Sequence, residues 1–438
     1  NFAAGMSASA AIALALCALA PGANAAFEAS TLVILDDPTV PQYHSIFFRN
    51  LKNRGHKVTF VSAKDRTLRL GKYGKYDYDN VILFSPQTED FGGDFDVDHL
   101  VEFVESGRNA LVIVDDDPTE SNREFANECG VDFHKSGNMV IDHVSHDSAA
   151  DDGLHTRVIA QIHPEAFPLL KKPISNPILY TGIAHTLNQQ ADLLTQVLTG
   201  GPSSYSSSPG TQAKNPQSLA EKTALVTAVQ SRSSARILFA GSQDFFSNSF
   251  FNAVPVTDSA TGKVYEKSGN EEFSQAITKW VFGEVGLLRA VNFTHKKLGS
   301  EELNPPVYTV KNDVVVNVVL QEYIASSDSW EPYKADDVQL EFTMLDPYIR
   351  TFMQYKSDGM YEATFKAPDR YGCFKFIVDY QRRGYTPIKI VEQISLRPFR
   401  HDEYERFLGV AYPYYASAFS MMAGFFVFGI YFLYGTIE

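Results

Sequence analysis

One uninterrupted apolar stretch near the C-terminal end, Tyr412 to Tyr434, limits what this chain of 438 residues can be. At roughly 1.5 Å of rise per residue, a helix of that length crosses the hydrocarbon core of a bilayer with some tilt. The stretch contains no Asp, Glu, Lys or Arg. Nearly everything before it reads as soluble globular protein. The expected layout is therefore a large folded body on one transmembrane helix, residues 412–434. A lone helix encloses no transport path, so its task is placement or contact with partners.

The N-terminus fits the same layout. Ala10 to Ala20 is an apolar run too short to span. Pro21 and Gly22 break it, and Ala23-Asn24-Ala25 has the small-x-small pattern of a cleavage site. This predicts a secretory signal peptide over residues 1–25 and a mature chain from near Ala26, against the alternative of a buried Ala-rich helix. The basic n-region of such signals is missing and the chain opens on Asn1, so a truncated start, or a true start at Met6, is expected. A cleaved signal and a C-terminal span put residues 26–411 in the secretory lumen or outside the cell, with Gly435 to Glu438 as a cytosolic tail. Charge asymmetry opposes this orientation, because Arg397, Arg400 and Arg406 lie on the lumenal flank and the tail has no Lys or Arg. The first signal usually fixes topology, so the type I orientation is the expectation, and a lost basic tail would explain the conflict.

A net charge of −14 and a pI near 5.3 do not suit polyanions, which argues against nucleic-acid binding. A mature chain of nearly 400 residues implies two or three domains. Cys17 leaves with the signal, and Cys129 and Cys373 remain, far apart in sequence. An oxidising lumen would allow them to pair; two separate buried thiols is the alternative, and this is not a disulfide-built fold.

Strands and helices alternate through the first half of the chain. Thr31 to Leu35 (TLVIL), KVTFVSA, Asn80 to Pro86 (NVILFSP) and Ala110 to Val114 (ALVIV) read as strands, the apolar runs being typical of a buried parallel sheet. Gln42 to Arg54 and Val97 to Glu105 read as helices between them. Further strands follow at PILYTG, ALVTAVQ and RILFAG, then a helix from Glu271 to Phe282. The expected fold is an α/β doubly wound region over residues 26–290, in one or two lobes, with Gly200 to Gly210 as an exposed Ser-rich loop. Beyond residue 290, VVVNVVLQEY, VQLEFTM and CFKFIVDY carry strand patterns, two of them with period-2 alternation, which predicts an antiparallel β-sandwich over 291–400 and a juxtamembrane linker over 401–411.

Candidate chemistry is sparse. Asp36 and Asp37 end the first strand, and Asp115, Asp116 and Asp117 end the fourth. Carboxyl ends of parallel strands line the ligand crevice of an open sheet, so Asp36, Asp37, Asp115 and Asp116 are candidates to hold a cation or sugar hydroxyls. Helix capping or turn solvation is the competing explanation. Asp142, His143, His146 and Asp147 form a D-H-x-x-H-D cluster, but NMVIDHVSHD reads as a strand leaving into a loop, and no metal is assigned to it. No nucleophile elbow, phosphate-binding loop or dinucleotide fingerprint occurs, and no cofactor is implied. Asn292-Phe293-Thr294 is a glycosylation sequon. Within the span, Ala416, Ser420 and Gly424 recur every four residues, a stripe that lets another helix approach closely.

Several longer segments resemble a known family. They are TLVILDD, Ser85 to Gly93 (SPQTEDFGG), Asn176 to Gly182 (NPILYTG), Gly241 to Phe251 (GSQDFFSNSFF), Gln339 to Phe352 (QLEFTMLDPYIRTF) and Tyr404 to Met422 (YERFLGVAYPYYASAFSMM). Together they resemble the 48 kDa subunit family of the oligosaccharyltransferase, over about residues 31 to 434. The resemblance implies a single-pass type I protein of the endoplasmic reticulum membrane with an amidotransferase-like α/β body followed by a β-sandwich. It implies a non-catalytic subunit of the complex that moves a dolichol-linked oligosaccharide to Asn of N-x-Ser/Thr. Its partners would be a multi-spanning catalytic subunit, ribophorin-like subunits and other small membrane subunits. The tail departs from family members that end in a basic cytosolic segment. A second expectation is a lumenal module that binds the glycan donor through the α/β crevice. A hydrolase or amidotransferase is disfavoured, since no nucleophile–base pair is visible.

Overall fold

The computed structural model describes residues 29–188, 190–191, 193–210, 216–324, 329–404 and 406–435. The signal peptide expected over 1–25 and tail residues 436–438 lie outside the described residues. The chain is a sheet-rich body with one long apolar helix near its C-terminal end. Its residues fall into two units. One runs to Arg289 and takes in Gln321–Glu331 and Gln381–Ile388; the other holds Ala290–Leu320, Pro332–Tyr380 and Lys389–Glu438.

The first unit is built on a mixed sheet of 11 strands. Its principal strands are β1 (Ala29–Leu35), β2 (His56–Ser62), β3 (Asn80–Phe84), β4 (Asn109–Ile113), β5 (Val158–Ile162), β6 (Ile178–Tyr180), β7 (Leu194–Thr199), β8 (Ala224–Gln230) and β9 (Arg236–Ala240). They lie in the order β6-β5-β7-β8-β9-β4-β3-β1-β2. The five from β9 to β2 are parallel, and the four beyond β9 pair antiparallel. The order reverses at β1, which has β2 on one side and β3 on the other.

Apolar runs buried on both faces explain why these strands are central. In β1, Val33 and Leu35 enter one apolar cluster, and Leu32 and Ile34 enter another. The helices include α1 (Val40–Tyr43), α2 (Ser45–Asn53), α3 (Val97–Glu105), α4 (Glu120–Glu128) and α5 (Asn270–Val281). Helix α2 brings Phe47, Phe48 and Leu51 to the first cluster, and α5 adds Phe273, Ile277 and Trp280. Helices α3 and α4 supply Leu100, Phe103 and Phe125 to the second. At roughly 25 cal/mol per Å² of apolar surface, each such side chain contributes about 1.5–3 kcal/mol relative to exposure. Edge strand β6 is closed by a side chain. The Asn270 carboxamide accepts from Leu179 N at 2.8 Å and donates to Leu179 O at 2.7 Å.

Two local expectations change. Gln42 to Arg54 is two helices, interrupted at His44. Helix α4, the helix-like segment that follows Asp115–Asp117 and Pro118, is polar and buries only Asn122, Phe125 and Ala126. The Ser-rich stretch Gly200 to Gly210 is not a plain exposed loop, since Tyr205–Ser207 pairs as a strand with Met139–Ile141 and both Ser204 and Ser206 are buried. Their hydroxyls are satisfied by Gly201 O at 2.7 Å and His134 Nδ1 at 2.7 Å, which makes the burial affordable.

The second unit contains most of two five-stranded sheets. The first includes Leu288–Lys297, Asp313–Ile324 and Met360–Lys366; the second includes Val307–Thr309, Ile388–Arg397, Gly372–Tyr380, Gln339–Thr343 and Pro347–Phe352. Aromatic rings from one meet the other, with Phe342–Phe365 centroids 5.2 Å apart and Phe293–Phe376 6.1 Å. Cys129 and Cys373 are both free thiols, the first largely buried and the second exposed. Helix α6 (Tyr412–Tyr434) buries none of its residues.

Candidate functional site: a cleft at the carboxyl ends of the parallel strands

The segments that follow β1, β4 and β9 enclose a cleft of about 310 Å³. Its polar lining includes His44, Asp115, Asp244, Ser247 and Asn248. Each is placed by local structure. His44 sits where α1 gives way to α2; its N–H donates to Val40 O at 3.1 Å, and its ring lies 5.0 Å from the Phe84 ring at the end of β3. Asn248 fastens the far wall to that junction, accepting from Ile46 N and donating to Gln42 O and Ser45 Oγ, each at 3.0 Å. Ser247 caps the short helix Asn248–Phe251 by accepting from Phe250 N at 3.3 Å.

Burial sets the electrostatics. It pushes the Asp115 carboxyl above its usual range, aided by the charges of Asp116 and Asp244 and opposed by the hydrogen bond from Asp116 N. It lowers the His44 imidazole below its usual value, against the pull of the Phe246 backbone and the Asp244 carboxylate. His44 Nδ1 is buried with no hydrogen-bond partner among the described residues. The cleft can thus offer a neutral imidazole, carboxylates, hydroxyls and a carboxamide to a ligand rich in hydroxyls. At that nitrogen it holds no preassembled nucleophile–base pair.

The four candidate acids do not meet at one point. Asp115 lines the cleft, while Asp116 is exposed and its carbonyl accepts from Gly137 N at 3.0 Å. Asp36 bridges the ends of β1 and β3, accepting from Gln87 N at 2.8 Å and from Thr88 Oγ1. Asp37 accepts from Thr39 N at 2.9 Å, a turn ahead of α1. Sequence reasoning missed His44 and Asp244. Asp244 follows β9 just as Asp115 follows β4, so the same end-of-strand logic would have found it.

Of the D-H-x-x-H-D cluster, Asp142 Oδ1 accepts from Val144 N and Ser145 N at 2.9 and 3.0 Å, His143 Nε2 meets Tyr205 OH at 2.9 Å, and Asp147 pairs with Arg157 at 3.2 Å. Among the described residues, His146 groups its ligand atom with those of Asp151 and His155. Asn292 is exposed on the strand Leu288–Lys297, where its sequon is accessible. Ala416, Ser420 and Gly424 lie on one face of α6; Ser420 Oγ donates to Ser417 O at 2.9 Å, and, the helix's own backbone aside, no atom of the described residues stands within 4 Å of a Cβ built at Gly424.

Comparison with known proteins gives two family matches: OST48, N-terminal domain, over residues 23–284, and OST48 middle domain, over residues 294–436. Three similar relatives each bear the description dolichyl-diphosphooligosaccharide–protein glycosyltransferase 48 kDa subunit. The protein of Danio rerio is 43% identical over 93% of this chain and 92% of its own length. That of Arabidopsis thaliana is 42% identical over 92% of each. That of Drosophila melanogaster is 40% identical over 93% of this chain and 91% of its own.

Proposed function

Because the chain belongs to the family of 48 kDa subunits of dolichyl-diphosphooligosaccharide–protein glycosyltransferase, and so has its role in the oligosaccharyltransferase complex, we propose that it serves there as a non-catalytic structural subunit. The observation that carries this reading is α6: 23 uncharged, mostly apolar residues, none buried by the rest of the chain, with Ala416, Ser420 and Gly424 on one face. Lipid and neighbouring helices must cover it. The expected partners are a multi-spanning catalytic subunit, ribophorin-like subunits and other small membrane subunits. The setting is the endoplasmic reticulum membrane, with the body lumenal. In this reading the first unit is an amidotransferase-like doubly wound fold and the second a β-sandwich. Apolar clusters on both faces of the large sheet and the facing Phe rings support it. Purification from membranes in mild detergent, with mass spectrometry of the eluate, is the test. Recovery with a multi-spanning glycosyltransferase is expected; recovery alone with an intact fold would overturn the proposal.

The cleft favours a second reading, in which it holds part of the dolichol-linked glycan donor. Asp115→Ala should then weaken donor affinity more than Asp36→Ala, Asp37→Ala or Asp116→Ala, with assembly intact. Unchanged donor affinity in the Asp115 variant would remove the idea.

A further inference from the structure

The segment between the strand Met139–Ile141 and β5 brings together side chains that the cleft does not use. His146 Nε2 lies 3.7 Å from Asp151 Oδ2, and His155 Nδ1 lies 2.7 Å from the same oxygen. The three ligand atoms that these residues offer are all within 4.8 Å of one another, and the two imidazole centroids are 4.4 Å apart. We propose that His146, Asp151 and His155 form a three-ligand site for a divalent transition-metal ion of the zinc class, which ties this loop into a fixed shape.

Tautomer, orientation and support all favour such a site. His146 Nδ1 faces the Asp142 carbonyl at 3.1 Å. A carbonyl only accepts, so Nδ1 carries the proton and Nε2 presents its lone pair to Asp151 and His155. His155 Nδ1 is buried without an aligned hydrogen-bond partner, although the Asp151 carboxylate is beside it. At 2.7 Å these two atoms are a close pair, and an ion bound at about 2.0 Å from each would need them only about 0.6 Å further apart, at the roughly 3.3 Å spacing of tetrahedral ligands. Asp151 is oriented by its other oxygen, which accepts from His155 N at 3.1 Å. His155 is held at φ +56°, a conformation that its surroundings must impose.

The surrounding loop is anchored before any ion arrives. Asp147 is fully buried, pairs with Arg157 at 3.2 Å and accepts from Thr257 N at 3.0 Å. Asp142 N donates to His155 O at 3.1 Å, which closes the loop across its base. Two imidazoles and one carboxylate suit a borderline ion with bond lengths of about 2.0–2.2 Å, and not Ca²⁺ or Mg²⁺, which take oxygen donors. His155 retains 28% side-chain exposure, so a fourth position is open to water. His143 meets the His155 ring edge-on, with centroids 4.9 Å apart, but its Nε2 is engaged by Tyr205 OH.

The test uses the full chain in detergent, stripped with EDTA and titrated calorimetrically with zinc chloride. The intact chain should take up one equivalent that His146→Ala, His155→Ala and the near-isosteric Asp151→Asn lose or bind more than about 100-fold more weakly. His143→Gln should retain it. Circular dichroism in EDTA establishes that each variant is folded, and Asp151→Asn carries the test where a histidine variant is not. Unchanged uptake by the folded variants, absence of uptake by the intact chain, or equal stabilisation by magnesium would overturn the assignment.

Discussion

The guanidinium of Arg236 lies 5.0 Å from the centre of the Trp280 ring and donates to the backbone carbonyl of Trp280 at 2.6 Å. It also donates to Val285 O at 2.7 Å and Gly286 O at 3.0 Å, while Trp280 Nε1 donates to Gly384 O at 3.0 Å. Both side chains are almost wholly buried. A buried cation satisfied by carbonyls ties the start of β9 to the end of α5.

Arg236→Ala would remove three charge-assisted hydrogen bonds and the ring contact; Trp280 O would keep Gly283 N and Gly286 O would keep Thr386 N, each a backbone donor. A loss of about 3 kcal/mol or more is expected, since a hydrogen bond to a charged group contributes roughly 1.5–3 kcal/mol. A lowered midpoint of thermal or denaturant unfolding is the readout. Burial brings the Arg236 pKa down to about 10, so the group stays charged at neutral pH and the loss should be present throughout the neutral range.

Acid should destabilise the first unit through two buried imidazoles. Burial, with the Arg123 charge beside it, lowers His134 from 6.5 to about 4; burial, with His134 nearby, lowers His185 from 6.5 to about 3. Between pH 6.5 and 4 the unfolded chain therefore binds more protons than the folded one, and stability falls as pH falls. Unfolding midpoints recorded across that window should decline. A double variant, His134→Gln with His185→Gln, should flatten the slope even if its neutral-pH midpoint is lower.

The two thiols should react unequally. Burial pushes Cys129 up to about 12, helped by the Glu128 charge, whereas Cys373 is exposed. An alkylating reagent applied to the native protein should label Cys373, and Cys129 should follow only after unfolding. Peptide mass mapping reads the order directly, and equal native labelling would count against the buried placement.

In the span, Gly424→Leu puts a branched side chain where, the helix's own backbone aside, none of the described residues comes within 4 Å. Its effect should fall on association with other subunits and leave the folded body intact. Weakened co-purification with unchanged circular dichroism is expected; normal co-purification would dismiss the small-residue stripe as a docking face.

Regular elements were legible where one physical signal dominated. TLVIL and ALVIV are continuous apolar runs, and they fall within or almost wholly within β1 and β4, buried on both faces. Val97 to Glu105 is a helix with those same bounds, because Val97, Leu100, Phe103 and Val104 recur at helical spacing. Helix α4 gave no such stripe. The Ser-rich segment misled because its burial depends on partners more than sixty residues away in sequence, such as His134 for Ser206. The sites were harder still. His44 and Asp244 meet in the cleft only because β1 and β9 lie in one sheet. Asp151 and His155 join His146 through an irregular loop that has no period to read.

The carboxamide of Asn270 has a consequence beyond its two hydrogen bonds to Leu179. An extended peptide approaching that margin would find both main-chain groups of Leu179 already taken by a rigidly held amide. The large sheet therefore ends there by design of a single side chain, which denies foreign strands a place to add on.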